Sequence, residues 1–189
     1  RAIQFKNGEI PFINKELTKT DRNGKAFGKI ASIVNWGSNV ENSLSRKVLE
    51  KTCDVHRDAS LPKFHKKTFL ELDKNETPRL NSEAPGYGRK AAIYATCFVN
   101  YNNPSIGIAA VEVLNRNGVK TEVIYPSCCG MPQLEQGNIT EVAKSAEKVA
   151  KELRHWVDEG NDIIALTPSC ALMLKFEWPL LLPENEDVK

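Results

Sequence analysis

No apolar run in this sequence approaches the roughly 20 residues that a membrane-spanning helix requires. The longest, such as Ile163–Leu166 and Leu180–Leu182, are core-sized, so the chain is not expected to span a bilayer. An excess of charge of one sign is missing too: 26 Lys and Arg stand against 24 Asp and Glu, a formal net charge of +2. The two signs are interleaved, so no basic footprint for nucleic acid exists and no nucleic-acid partner is expected. No Gly-x-Gly-x-x-Gly or phosphate-binding loop follows the first expected strand, where TCFVNYNNP stands instead, which disfavours a nucleotide-binding Rossmann domain. The chain opens at Arg1 with no charged-then-apolar leader and reads as an internal piece of a longer protein rather than a secreted precursor. The three histidines, His56, His65 and His155, show no paired metal spacing.

The 189 residues include five cysteines. That number is odd, and a chain with this much Val, Ile and Leu needs no disulfide staples. A reducing, cytoplasmic setting is therefore expected, in which cysteines serve as buried packers, metal ligands or redox groups.

A change of composition at 81–89 (NSEAPGYGR) marks a linker and suggests two regions, a helical connecting arm over 1–84 and a second domain over 85–189. In the arm, Phe27, Ile30, Ala31 and Val34, then Val40, Leu44, Val48 and Leu49, then Phe64 and Phe69 fall at helical spacing. They are too few for a separate core and are expected to pack on the second region or on a neighbour.

The second region is regular. Residues 90–95 (KAAIYA) form an apolar run suited to a buried parallel strand, with Cys97 just past its end. Asn103-Pro104 starts a helix with Ile106, Ala109, Ala110, Val113 and Leu114 as its apolar stripe and Gly118 as its stop. Residues 119–125 (VKTEVIY) form a second strand, followed at once by Cys128 and Cys129. A helix over Ile139–Asp158 carries Val142, Ala146, Val149, Ala150, Leu153 and Trp156 on one face. Residues 162–166 (DIIAL) form the third strand, after which Pro168 and Ser169 open a helix with Cys170 in its first turn, and Ser169 is the expected cap. The expectation is an α/β fold: a three-layer βαβαβα domain around a parallel sheet, preceded by a helical arm. Ligands of such sheets bind outside the carboxyl ends of the strands, and all four cysteines fall there.

The ligand pattern is Cys-x30-Cys-Cys-x40-Cys, followed directly by Gly130 after the pair. Zinc sites usually draw two ligands from one Cys-x2-4-Cys turn, which adjacent cysteines imitate poorly. A cluster spreads its coordination over several irons, so neighbouring thiolates can serve different metal atoms. The spacing therefore favours a [4Fe-4S] cluster on Cys97, Cys128, Cys129 and Cys170, and leaves zinc, a thiol redox site and plain buried cysteines open. Gly130 can take positive φ and turn amide hydrogens toward the sulfurs. Cys53, in KVLEKTCDVH, lies away from the strand ends and reads as an ordinary thiol.

Three segments, ATCFVNYN around Cys97, CCGMPQLEQG from Cys128 and TPSCALMLKFEWPLLLP around Cys170, resemble the cysteine-rich CCG domain of heterodisulfide reductase-related proteins. Within that group they are similar to the C subunits of anaerobic glycerol-3-phosphate dehydrogenases, and HRDASLPKFHKKTF from His56 resembles the stretch ahead of that domain. The resemblance covers about two thirds of the chain. It implies the connecting segment and first CCG domain of an iron–sulfur electron-transfer subunit. Such a subunit relays electrons from a flavoprotein dehydrogenase toward the quinone pool, peripheral to the inner face of the plasma membrane. Heterodisulfide reductase ends each motif with a further cysteine, where this chain has Met173. That departure puts disulfide reduction in doubt and leaves an ordinary four-cysteine cluster as the expectation. The competing readings are a zinc-stabilised or metal-free interaction domain and a thiol/disulfide redox subunit.

Overall fold

The computed structural model describes residues 1–74 and 79–188. Residues 75–78, within the expected arm, and Lys189, at the end of the expected second region, lie outside the described residues. The chain begins with five helices: α1 (Ala2–Lys6), α2 (Phe12–Leu17), α3 (Thr20–Lys29), α4 (Ala31–Ser38) and α5 (Ser43–Cys53). The short α6 (Phe69–Asp73) follows, started by a capping box in which the Thr68 hydroxyl and the Glu71 carboxylate satisfy each other's backbone amides.

Beyond it come β1 (Lys90–Tyr94), α7 (Cys97–Tyr101), α8 (Pro104–Arg116), β2 (Lys120–Ile124), α9 (Met131–Gln136), α10 (Ile139–Asp158) and β3 (Asp162–Ala165). After β3 the chain forms α11 (Pro168–Leu172), a π-helical turn over Met173–Glu177 and α12 (Trp178–Leu181). The three strands make a parallel sheet in the order β2-β1-β3, with Ile93 opposite Val123 on one side and Ile164 on the other. The central strand is buried almost throughout, as its unbroken apolar run requires.

Alternation along β1 divides the core. Ala92 and Tyr94 face the layer of α10, packing with Val142, Ala146, Val149 and Ala150. Ile93 and Ala95 face the opposite layer, with Val111 of α8, Val99 of α7 and Phe69 of α6. The fold is thus the expected three-layer α/β sandwich with helices ahead of the sheet. The face expected for α10 is the buried one.

One expected face is corrected. On α8 the buried residues are Pro104, Gly107, Val111 and Asn115, whereas Ile106 and Val113 of the expected stripe are exposed. The cause is Phe69, whose ring fills a notch that only glycine leaves: a Cβ on Gly107 would lie 2.6 Å from it. On α5, Leu44 at 77% and Val48 at 60% exposure point outward, Leu49 is partly buried, and Arg46 is 1% exposed. The Arg46 guanidinium donates to the carbonyls of Arg57, His56, Ala59 and Ser38. This fork organises the loop after α5. Ser169 is not a cap either, since Thr167 occupies the N-cap position of α11 and no side chain bonds the helix start.

Candidate functional site

All three strands run the same way, so their carboxyl ends share one edge of the sheet. Cys97 begins α7 just after β1, Cys128 and Cys129 follow β2, and Cys170 lies in α11 after β3. In the order β2-β1-β3 the chain reverses its progression across the sheet between β1 and β3. Such a switch point opens a crevice between diverging loops, here flanked by Cys97 and Cys170. The two loops are clasped by a hydrogen bond between the hydroxyls of Thr96 and Thr167, 3.0 Å apart. Thr96 adopts φ 34°, uncommon for a β-branched residue, and its hydroxyl also accepts from the Val99 amide to start α7.

The four sulfurs meet. Cys97 and Cys128 lie 3.7 Å apart, Cys129 and Cys170 3.3 Å apart, and the vicinal Cys128 and Cys129 thiols also interact. Three of the four residues are buried and Cys97 is partly buried; Cys53 lies apart at the end of α5. Hydrogen bonds shared with Cys129 and then Cys97 hold the Cys128 thiol far below the usual thiol range, with help from the Thr20 hydroxyl and the Gly130 amide. Cys97 is pushed up by its bond to Cys128 and then by burial. Cys129 is pushed up by its bonds to Cys128 and Cys170, and then by burial.

Gly130 has φ 90°, the left-handed conformation expected of it, and its amide is directed at the Cys128 sulfur. Around the pair, the Trp178 indole donates to the Cys129 carbonyl at 3.0 Å and the Tyr94 hydroxyl to the Ser127 carbonyl at 2.6 Å. Met173 is wholly buried in the core shared with Cys129 and Cys170. The Asn102 side chain, one residue past α7, donates to the Lys63 carbonyl.

Sequence reading missed Thr20 and Asp21 in the first turn of α3. One Asp21 carboxylate oxygen accepts the Cys128 amide at 3.0 Å and the other accepts the Tyr125 hydroxyl. The Thr20 Oγ1 is buried with no partner of ordinary hydrogen-bond geometry and faces the thiols of Cys97 and Cys128. Nothing in the sequence flagged them, because an acidic residue in the first turn of a helix is ordinary dipole chemistry.

Four thiols with no histidine or carboxylate among them are a donor set that a thiolate-bound cluster or a lone zinc ion could use. Among the described residues no three His, Cys, Asp or Glu side chains are arranged to hold a metal ion. Two sulfur pairs drawn from three loops, with a left-handed glycine after the vicinal pair, can instead address separate irons.

Residues 91–175 match the family model of the cysteine-rich domain CCG, a stretch that spans all four of these cysteines. Among curated relatives it is similar to the C subunit of anaerobic glycerol-3-phosphate dehydrogenase from Escherichia coli strain K12, 28% identical over 89% of this chain and 42% of that protein. It is also similar to lactate utilization protein A of Bacillus pumilus, 32% identical over 51% of this chain and 39% of the relative. The B subunit of fumarate reductase (CoM/CoB) from Methanothermobacter marburgensis is 26% identical over 80% of this chain and 32% of the relative. The chain thus spans less than half the length of these relatives, two of which are named as subunits of a dehydrogenase and a reductase. No solved structure matches. Among the described residues no helix is long and apolar enough to cross a membrane.

Proposed function

We propose that this chain is part of an iron–sulfur electron-transfer subunit, with Cys97, Cys128, Cys129 and Cys170 as the ligands of one [4Fe-4S] cluster. The observation that carries the reading is the convergence of four thiols from three parallel strand ends on one buried crevice. The cluster would supply one-electron redox chemistry. The chain's own residues shape its setting: the Gly130 amide and Thr20 hydroxyl face the sulfurs, the Trp178 indole fixes the Cys129 carbonyl, and burial excludes water. Met173 stands where a further thiolate would be needed for a catalytic cluster, so the domain relays electrons and performs no substrate chemistry alone.

The domain division we propose is a helical connecting arm over 1–84 and the cysteine-rich domain over 85–189. By likeness to the dehydrogenase relative, the donor is a flavoprotein dehydrogenase subunit and the route leads to the quinone pool, with the assembly peripheral on the inner face of the plasma membrane. Anaerobic purification with iron, zinc and sulfide quantification tests this. About four irons and four sulfides per chain are expected. One zinc per chain with no visible absorption would sink the relay in favour of a zinc-stabilised interaction domain.

A second reading rests on the contact between Cys129 and Cys170, 3.3 Å apart, beside the Cys128 thiol: a dithiol site acting on disulfides. Metal-free protein that turns over a disulfide substrate would favour it.

A further inference from the structure

The N-terminal helices place a carboxylate against the backbone of the cysteine pair, more than a hundred residues away in sequence. Asp21 accepts the Cys128 amide with one oxygen and the Tyr125 hydroxyl with the other. It thereby fixes both sides of the turn that leaves β2 and carries the vicinal thiols. The contact is built. Helix α3 approaches through Gly24, where a Cβ would lie 2.4 Å from the Tyr101 ring. Tyr101 in turn packs edge-on against Tyr125 at 6.0 Å. On the other side of the turn the Gln133 side chain donates to the Thr18 carbonyl at 2.9 Å, tying α9 to the residues just ahead of α3. Thr20 closes the wall with a buried hydroxyl facing the Cys97 and Cys128 sulfurs.

We infer that Asp21 is a positioning residue of the cysteine site, and that α3 is a wall of the site whose docking sets the conformation of the Cys128–Cys129 turn. A carboxylate has two acceptor edges and can hold an amide and a hydroxyl at once. Among the described residues the Cys128 amide has no other acceptor, so displacing α3 frees that amide and opens the buried crevice. Whatever shifts the helical segment, such as assembly with another subunit, would then be felt at the thiols.

The Asp21 assignment stands on geometry; its consequence for a cluster rests on the proposed electron-transfer reading. Amide hydrogen exchange on the full, metal-free chain separates the two. Asp21→Ala removes both bonds, and a hydrogen bond to a charged acceptor is strong enough that exchange at the Cys128 amide should rise about tenfold or more. Asp21→Asn keeps one oxygen for the amide and an NH2 group that can donate to Tyr125, so a rise of about fivefold at most is expected. It serves where the alanine variant does not fold. In reconstituted protein, Asp21→Ala should also retain less iron than wild type. Cys128 exchange within about twofold of wild type in Asp21→Ala, or faster in Asp21→Asn than in Asp21→Ala, would overturn the assignment. Wild-type protein that takes up no iron overturns the cluster and leaves the exchange result to decide Asp21.

Discussion

Replacing Gly24 and Gly37 by alanine makes the same chemical change in two neighbouring helices and should shift stability in opposite directions. Each substitution removes a glycine from a helical segment, which by itself stabilises by up to about 1 kcal/mol. At Gly37, in α4, nothing lies within 4 Å of the added Cβ, so the gain survives; near the helix end about 0.5 kcal/mol is expected. At Gly24 the Cβ would sit 2.4 Å from the Tyr101 ring. That ring is 4% exposed and held against Tyr125, so it cannot swing into solvent. Forcing a methyl into such a contact costs about 1–3 kcal/mol, and after the helix gain a net loss of about 1 kcal/mol remains. Urea unfolding of the two variants reads the difference. With a slope of roughly 2 kcal/mol per molar, the midpoint should rise by about 0.25 M for Gly37→Ala and fall by about 0.5 M for Gly24→Ala. Equal gains in both would show that α3 does not rest on Tyr101, and would remove the close approach on which the α3 wall depends.

Trp178→Phe leaves the Cys129 carbonyl without its donor and a small void beside it. A loss of about 2–3 kcal/mol on denaturation is expected, and one below about 0.5 kcal/mol would mean the indole bond is incidental. Arg46→Leu strands the carbonyls that the guanidinium gathers and should cost about 3 kcal/mol or more in thermal or urea unfolding. Arg46→Lys should recover only part of this, having no planar fork, so full recovery would refute the fork as the cause. Cys129→Ser should abolish iron binding after anaerobic reconstitution, while Cys53→Ser keeps the wild-type content. Normal iron in the first variant would show that the ligand set is wrong.

The sheet and long helix were readable because their signals are local. The central strand is one apolar run, and α10 has a stripe of core residues ahead of a stop at Gly160. The cysteines were readable as a set because parallel strands deliver their carboxyl ends to one edge. The face of α8 was not, because its partner is a single ring in a glycine notch and because Asn115 is buried as a donor to Val111 and Thr121. Hydropathy counts neither feature as core. The burial of Arg46 in α5 was not readable for the same reason, since four carbonyl partners can satisfy a buried guanidinium that composition alone assigns to solvent. Asp21 could not be found by spacing at all; its role exists only once α3 lies against the turn after β2.

The π-helical turn at Met173–Glu177 has a consequence for how the last helix meets the cysteine pair. In an α-helix of about 3.6 residues per turn, side chains five apart diverge by roughly 140°. Met173 and Trp178 are five apart, yet both are buried in the same core. The wider turn accommodates one more residue in each hydrogen-bonded ring, which brings the two side chains toward one azimuth. The segment after Cys170 thus behaves as a phase adjuster: one surplus residue, with Phe176 bulging toward solvent, keeps the buried methionine and the indole donor in step along a helix that would otherwise carry them apart.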